Sequence, residues 1–227
     1  MSTDDLGYRV WMRSLRALAR ALLGTAYRLE VHGISNVPRE GGALVVANHT
    51  SFHDWLFMGA ALPRPPRFVM HQHHFQYPAL RAFFEASRVI PIAPRKQDPA
   101  RLDEALDEID RALERGELVV LCPEGTMTPD GSLGEIRPGV ERIVARRAVP
   151  VVPLAIEGLF GSTFSRAHGP PMSKWSRRFR ARVVVRVGAP IPAREVTTST
   201  LRERLLALLA PGAPAPSPPG RSLDDRA

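Results

Sequence analysis

Short apolar runs alternate with amphipathic stretches along most of this chain, and that alternation restricts it to very few architectures. The β-type runs are Arg28–His32, Ala43–Ala47, Arg67–Met70, Val89–Ile92, Leu118–Cys122, Val149–Ile156 and Arg182–Val187. Between them lie the helical segments Phe52–Leu62, Pro78–Ala86, Pro99–Arg115, Pro138–Arg147 and Ser199–Leu209. The 99–115 stretch is the clearest: Leu102, Leu106, Ile109 and Leu113 share one face, charges take the other, and Gly116 closes the helix. Strand and helix in alternation imply an α/β fold, with a mixed, largely parallel sheet flanked by helices.

At 227 residues the chain is long enough for one domain with a proper core. Residues 9–23 carry an apolar stripe (Leu15, Leu18, Leu22, Leu23) and a basic one (Arg9, Arg13, Arg16, Arg20). Such a helix either packs on its own domain or lies on an anionic lipid surface, and the pattern leaves both open. From residue 211 the chain is rich in Pro, Ala, Ser and Gly, a composition that does not support a core. The expected division is an N-terminal amphipathic helix over 1–27, the main domain over 28–210 and a disordered tail over 211–227. No stretch approaches the roughly 20 apolar residues that span a bilayer. Arg13, Arg16 and Arg20 interrupt any signal-peptide pattern, so a cytoplasmic location is expected.

The net charge of +8 is almost all arginine, the only lysines being Lys96 and Lys174. A surface of this sign suits a polyanion, either nucleic acid or an anionic bilayer. Cys122 is the single cysteine, which excludes an internal disulfide, and its place in an apolar run reads as a buried thiol.

Residues 43–55, ALVVANHTSFHDW, are the most informative segment. A buried strand delivers Asn48 and His49 to its carboxyl end, where open α/β sheets place their ligands. The pattern expects Ser51 to begin a helix with Asp54 as the partner of a capping box. Were the chain to fold His49 back over the first turn, Asp54 could accept the imidazole Nδ1–H and leave Nε2 as a base for an alcohol. Spacing alone equally allows a loop histidine beside a capping aspartate, and His53 also neighbours Asp54. In residues 119–131, a second apolar strand ends in Pro123-Glu124-Gly125-Thr126. There Gly125 permits a close backbone approach, Thr126 adds a hydroxyl, and Glu124 either binds an acceptor hydroxyl or organises the pocket.

Together these segments resemble the glycerolipid acyltransferase superfamily, the PlsC-like enzymes that acylate glycerophosphate and lysophospholipids. The resemblance rests on Asn48-His49-x4-Asp54 (the HX4D motif), Val-Ile-Pro-Ile at 89–92, Pro123-Glu124-Gly125-Thr126, Arg137-Pro138-Gly139 and Val149-Pro150-Val151-Val152-Pro153. All five occur in the family's order, across residues 30–190. By resemblance, His49 is the catalytic base, Asp54 orients it, and Asn48, Glu124, Gly125, Thr126, Arg95 and Arg137 line the substrate site. The implied reaction moves a fatty acyl group from an acyl-CoA or acyl-carrier-protein thioester to the free hydroxyl of a lysophospholipid or 1-acylglycerol-3-phosphate. It requires no metal or other cofactor and no covalent acyl-enzyme. The implied setting is phospholipid biosynthesis or remodelling on the cytoplasmic side of a membrane, the enzyme being peripheral and not bound to nucleic acid.

Two positions depart from the family. Arginine usually follows Glu-Gly-Thr, where this chain has Met127, and another usually ends the second block, where it has Pro94 followed by Arg95. Methionine cannot replace a bidentate phosphate ligand, so the clamp is either relocated, with Arg95, Lys96 and Arg137 as candidates, or absent. The chain looks closer to acyltransferase domains fused to lipid transporters and acyl-carrier-protein synthetases, an impression carried by 137–147 and 158–166. A non-catalytic lipid-surface protein with the same fold is the alternative. His71, His73 and His74 form a histidine-rich loop without carboxylate or cysteine partners, which reads as groove lining before metal site. Trp175 and Phe179 interleave with basic residues at 174–182, a membrane-facing patch or an exposed edge in preference to a nucleic-acid platform.

Overall fold

The computed structural model describes residues 3–167, 169 and 180–210. The expected tail from 211 and the aromatic–basic stretch 174–179 lie outside the described residues. Among the described residues six α-helices run in chain order: α1 (Thr3–Ala26), α2 (Asp54–Ala61), α3 (Pro78–Ala86), α4 (Pro99–Glu114), α5 (Gly139–Arg146) and α6 (Thr198–Leu209). The strands are β1 (Tyr27–His32), β2 (Ala43–Ala47), β3 (Pro66–His71), β4 (Ile90–Ile92), β5 (Leu118–Leu121), β6 (Val151–Glu157) and β7 (Ala181–Val187). They form one sheet ordered β1-β7-β6-β2-β5-β3-β4, parallel at every pairing except β6 with β7. The expected mixed, largely parallel sheet is therefore the observed one.

Helices cover both faces because the central strands are apolar on both sides. Along β2 the side chains alternate: Ala43, Val45 and Ala47 enter the core beneath α1, α2 and α3, while Leu44 and Val46 enter the core beneath α4, α5 and α6. Arg67 is a buried cation held between Glu108 and Glu117 at 2.9 and 3.2 Å, where it ties β3 to α4 and the start of β5.

The sheet is irregular at one place. β3 pairs with β5 only through Pro66–Phe68, and beyond that point it pairs with β4 only, through Val69–His71. The sheet thus divides at its carboxyl end, and a gap opens between β3 and β5.

The N-terminal helix packs on its own domain, but along a face that cuts across both stripes. Met12, Ala19 and Leu23 are buried, whereas Leu18 and Leu22, expected in the same stripe as Leu23, are each 57% exposed. Two arginines of the basic stripe turn inward instead. Arg16 donates to the carbonyls of Gly59 and Leu62, and Arg20 donates to Ala60 O at 2.8 Å. These carbonyls are the unpaired acceptors at the end of α2, where a cation is also favoured by the helix dipole. The arginines face inward because acceptors wait for them there, and the leucines are left outside.

Candidate active site

The site forms where β2 and β5 end. Asn48, the first residue beyond β2, is buried, and both ends of its amide are engaged by one residue of β6: Nδ2 donates to Ile156 O at 3.0 Å, and Oδ1 accepts from the Ile156 N–H at 2.8 Å. The side chain is only 3% exposed and does not line the cavity that His49 faces. The expectation that Asn48 binds substrate is corrected on that ground: it fastens the outgoing chain to the next strand.

His49 is then held by its backbone. Its N–H donates to Glu124 Oε1 at 2.8 Å, and its carbonyl accepts from the Thr128 N–H at 2.9 Å. Its Nδ1 lies 2.9 Å from Asp54 Oδ2. Asp54 is 1% exposed, and the same oxygen accepts from the N–H groups of Thr50 and Ser51 at 2.7 and 2.9 Å. A carboxylate gathering donors leaves Nδ1 to carry the proton, and the lone pair of His49 then sits on Nε2. Deriving the tautomer needs all three bonds, and the sequence spacing offered only the pair.

The helix beside this site begins later than expected. α2 starts at Asp54 with His53 as its N-cap, while Ser51 pairs across a β-bridge with Ser165. Asp54 closes a turn over Thr50 and Ser51, so the capping-box reading of Ser51 as helix start is corrected. The extra non-helical residues are what let His49 curl back. His53, the other histidine adjacent to Asp54, lies against the Phe164 ring, and burial holds its pKa below the usual value against the pull of Asp54. It does not reach the cavity that His49 faces.

That cavity, of about 550 Å3, occupies the gap between β3 and β5. It reaches both faces of the sheet. Met58, Phe68 and Val120 line it from the α2 side, and Leu106, Val140 and Ile143 from the α4 and α5 side. His49 and Asp54 stand in its wall. Such a cleft, mostly apolar with a few polar groups converging on one end, is the usual form of a small-molecule site.

Glu124 is 4% exposed, with Oε1 on His49 N–H and Oε2 on Gly134 N–H at 2.7 Å. Both oxygens thus hold backbone N–H groups, and Glu124 itself does not line the cavity. Burial raises its pKa, partly offset by those two N–H groups. Gly125 has a positive φ of 67°, and a Cβ there would come within 3.0 Å of the Arg137 guanidinium, which lies across it. Gly125, Thr126, Arg95 and Arg137 all line the cavity, as expected, and so do Met127 and Pro94. Arg95 is paired with Asp103 at 3.1 Å, and Lys96 is not in the wall.

Sequence reasoning passed over Arg142, one helical turn beyond Pro138, which also lines the cavity; its spacing from Arg137 was the available signal. His71 and His74 line the cavity as well. Burial lowers the His74 pKa, followed by the charges of His71, His73 and His49. Cys122 is half-buried in the same wall, and burial, then the nearby Asp54 and Glu124 carboxylates, push its thiol well up, which disfavours a thiolate nucleophile.

Residues 28–157 match the profile of the acyltransferase family, more than half of the chain. The chain belongs to the acyltransferase family. The matched residues include the His49–Asp54 turn and the Glu124 loop. Among its relatives, a chloroplastic 1-acyl-sn-glycerol-3-phosphate acyltransferase of Brassica napus is 29% identical over 133 residues, 58% of this chain and 38% of that one. A 1-acyl-sn-glycerol-3-phosphate acyltransferase of Pseudomonas aeruginosa is 28% identical over 148 residues, covering 64% of this chain and 54% of its own. A lyso-ornithine lipid O-acyltransferase of Rhizobium meliloti is 29% identical over 182 residues, 78% of this chain and 59% of that one. The acyltransferase-family chain thus spans about a third to three fifths of these relatives' lengths. Its fold is shared with the 1-acyl-sn-glycerophosphate acyltransferase PlsC of Thermotoga maritima, at a TM-score of 0.71 and 20% identity over 90% of this chain and 80% of that one.

Proposed function

We propose that residues 28–210 form a catalytic unit that transfers a fatty acyl group from an acyl thioester to the free hydroxyl of a lysophospholipid or 1-acylglycerol-3-phosphate. The observation that carries this reading is the His49 imidazole, protonated on Nδ1 by its Asp54 bond and standing at an apolar cleft. In the proposed step, Nε2 takes the acceptor hydroxyl proton as the oxygen attacks the thioester carbonyl. The C–O bond forms, the C–S bond breaks, and the leaving sulfur takes the proton from the imidazolium that Asp54 stabilises. Cys122, the one thiol in the wall, is disfavoured as a thiolate, which suits direct transfer without an acyl-enzyme.

The acyl chain would lie in the gap between β3 and β5. Arg95, Arg137 and Arg142 would meet an acceptor phosphate in place of arginines at Pro94 and Met127. The exposed apolar face of α1, with Leu6, Val10, Leu18 and Leu22, would rest on the cytoplasmic side of an anionic membrane, no described helix being long and apolar enough to cross one. The names of the relatives support a lysolipid acceptor, and their range supports leaving its headgroup to experiment.

The test crosses lysophosphatidic acid, lysophosphatidylethanolamine and lyso-ornithine lipid with acyl-CoA and acyl carrier protein as donors. Transfer in at least one combination, lost in His49→Ala with folding intact, is the expected result. Vesicle binding with no transfer in any combination would instead identify a lipid-surface binding protein that keeps the fold without the chemistry.

A further inference from the structure

A second cavity, of about 590 Å3, adjoins the first, and His71 belongs to the wall of both. The two differ in chemistry. The first is lined chiefly by aliphatic and aromatic carbon, whereas the second, beside Phe75, Val89 and Pro91, carries Gln72, Gln76, Gln97, Arg81, Arg101 and the Glu85 carboxylate. The partition between them is itself fixed. His71 Nδ1 accepts from the His73 N–H at 3.2 Å, so Nε2 carries the hydrogen and donates to Gln97 Oε1 at 3.1 Å.

Both arginines are available to an anion. Arg81 pairs with Glu85 at 2.7 Å and Arg101 with Glu104 at 2.8 Å, but these are exposed pairs between residues on one helix. Pairs of that kind contribute little, and a phosphate, which takes a guanidinium in a bidentate way, competes with them readily. Arg101 Nε, moreover, is buried with no acceptor among the described residues. A buried donor left without a partner is costly, and a ligand that supplies one recovers that cost.

We propose that the second cavity holds the phosphorylated nucleotide head of a coenzyme A thioester. This rests on the acyl-transfer reading and names its donor. Such a donor joins an apolar tail to an adenine nucleotide through a flexible arm, and therefore needs an apolar site with an arginine-bearing one beside it. Phe75 offers a ring face to the base, the three glutamines offer amide donors and acceptors to its edge, and Arg81 and Arg101 meet the phosphates. An acyl carrier protein keeps its phosphate on its own folded surface and has no nucleotide to place there.

The experiment compares an acyl-CoA with the same acyl group on pantetheine, which lacks the nucleotide, in the wild-type chain and in Arg81→Gln/Arg101→Gln. The expected result is a KM for acyl-CoA raised about tenfold in the variant at unchanged kcat. Pantetheine kinetics would not change, and calorimetric affinity for free coenzyme A would fall by a similar factor. Equal losses on both donors, no loss on either, or a wild type that does not prefer acyl-CoA to acyl-pantetheine would overturn the proposal. If neither thioester supports transfer, the activity reading fails separately, and coenzyme A calorimetry alone decides: arginine-dependent binding supports the site and no binding overturns it.

Discussion

The backbone N–H of His49 donates to the Glu124 carboxylate at 2.8 Å, so the loop after β5 sets where the imidazole stands at the end of β2. The second Glu124 oxygen is spent on the Gly134 N–H, and the Thr128 N–H returns a bond to His49 O. Two strand ends are thereby locked together around the base before any substrate arrives. Preorganisation of this kind places the group without a reorganisation cost during the reaction.

Glu124→Gln tests this lock. Glutamine has one acceptor oxygen, so either His49 or Gly134 would face an NH2 group instead. The expected outcome is a fall in kcat of about 10- to 100-fold with little change in KM. A pH signature accompanies it. Because burial raises the Glu124 pKa in the folded chain, the folded state binds more protons than the unfolded one above the ordinary glutamate value. The associated stability is complete below that value and is lost as pH rises through the raised folded value. The wild type should therefore lose thermal stability relative to the Gln variant as pH rises above the ordinary glutamate value, read from melting curves over a pH series.

His49→Ala should lower acyl transfer by on the order of 10²–10⁴-fold. The side chain is only 28% exposed but, among the described residues, hydrogen-bonds to Asp54 alone, so the melting temperature should stay close to that of the wild type. An active variant would rule out His49 as the base.

In Asp54→Asn a neutral amide replaces the charged oxygen that now serves Thr50, Ser51 and His49 together, and its NH2, once turned to Nδ1, donates there and moves the imidazole hydrogen to Nε2. Transfer should fall by on the order of 10²–10⁴-fold. Unlike His49→Ala, it should also unfold at a lower temperature, because the buried Thr50 and Ser51 N–H groups lose a charged acceptor.

Asn48→Ala separates fold from chemistry. It leaves the N–H and carbonyl of Ile156 unpaired in the core at a cost of about 2–4 kcal/mol. Chemical denaturation should show the loss directly. Folded variant at low temperature should retain the acceptor KM, because Asn48 is buried and does not line the cavity.

Leu18→Ser/Leu22→Ser removes two exposed leucines of α1 without touching Met12, Ala19 or Leu23. Co-sedimentation with anionic vesicles should drop severalfold while thermal unfolding stays unchanged. Equal sedimentation of variant and wild type would show that this face is not the one that meets lipid.

Much of the fold was legible because strand and helix periodicity are local. Ala43–Ala47 and Pro78–Ala86 run as expected, and most other ends differ by one or two residues, where caps and loop bonds decide. The site was legible as a set of motif blocks in order. What each residue does was less so. Asn48 and Glu124 read as ligand contacts, since nothing in sequence shows that Ile156 and Gly134 already occupy their polar atoms.

Residue types and their spacing determined by themselves that this chain folds as a helix-flanked, largely parallel sheet, and that a histidine and an aspartate stand near a strand's carboxyl end. Tertiary structure decided that His49, not His53, bonds Asp54 within a cavity wall, and that Arg16 and Arg20 turn inward on α1. It also decided that β3 leaves β5 after Phe68 and opens the cleft. The reason is common to all three. Each depends on which unpaired backbone or side-chain group waits across the fold, and partners so distant in sequence leave no periodic trace along the chain.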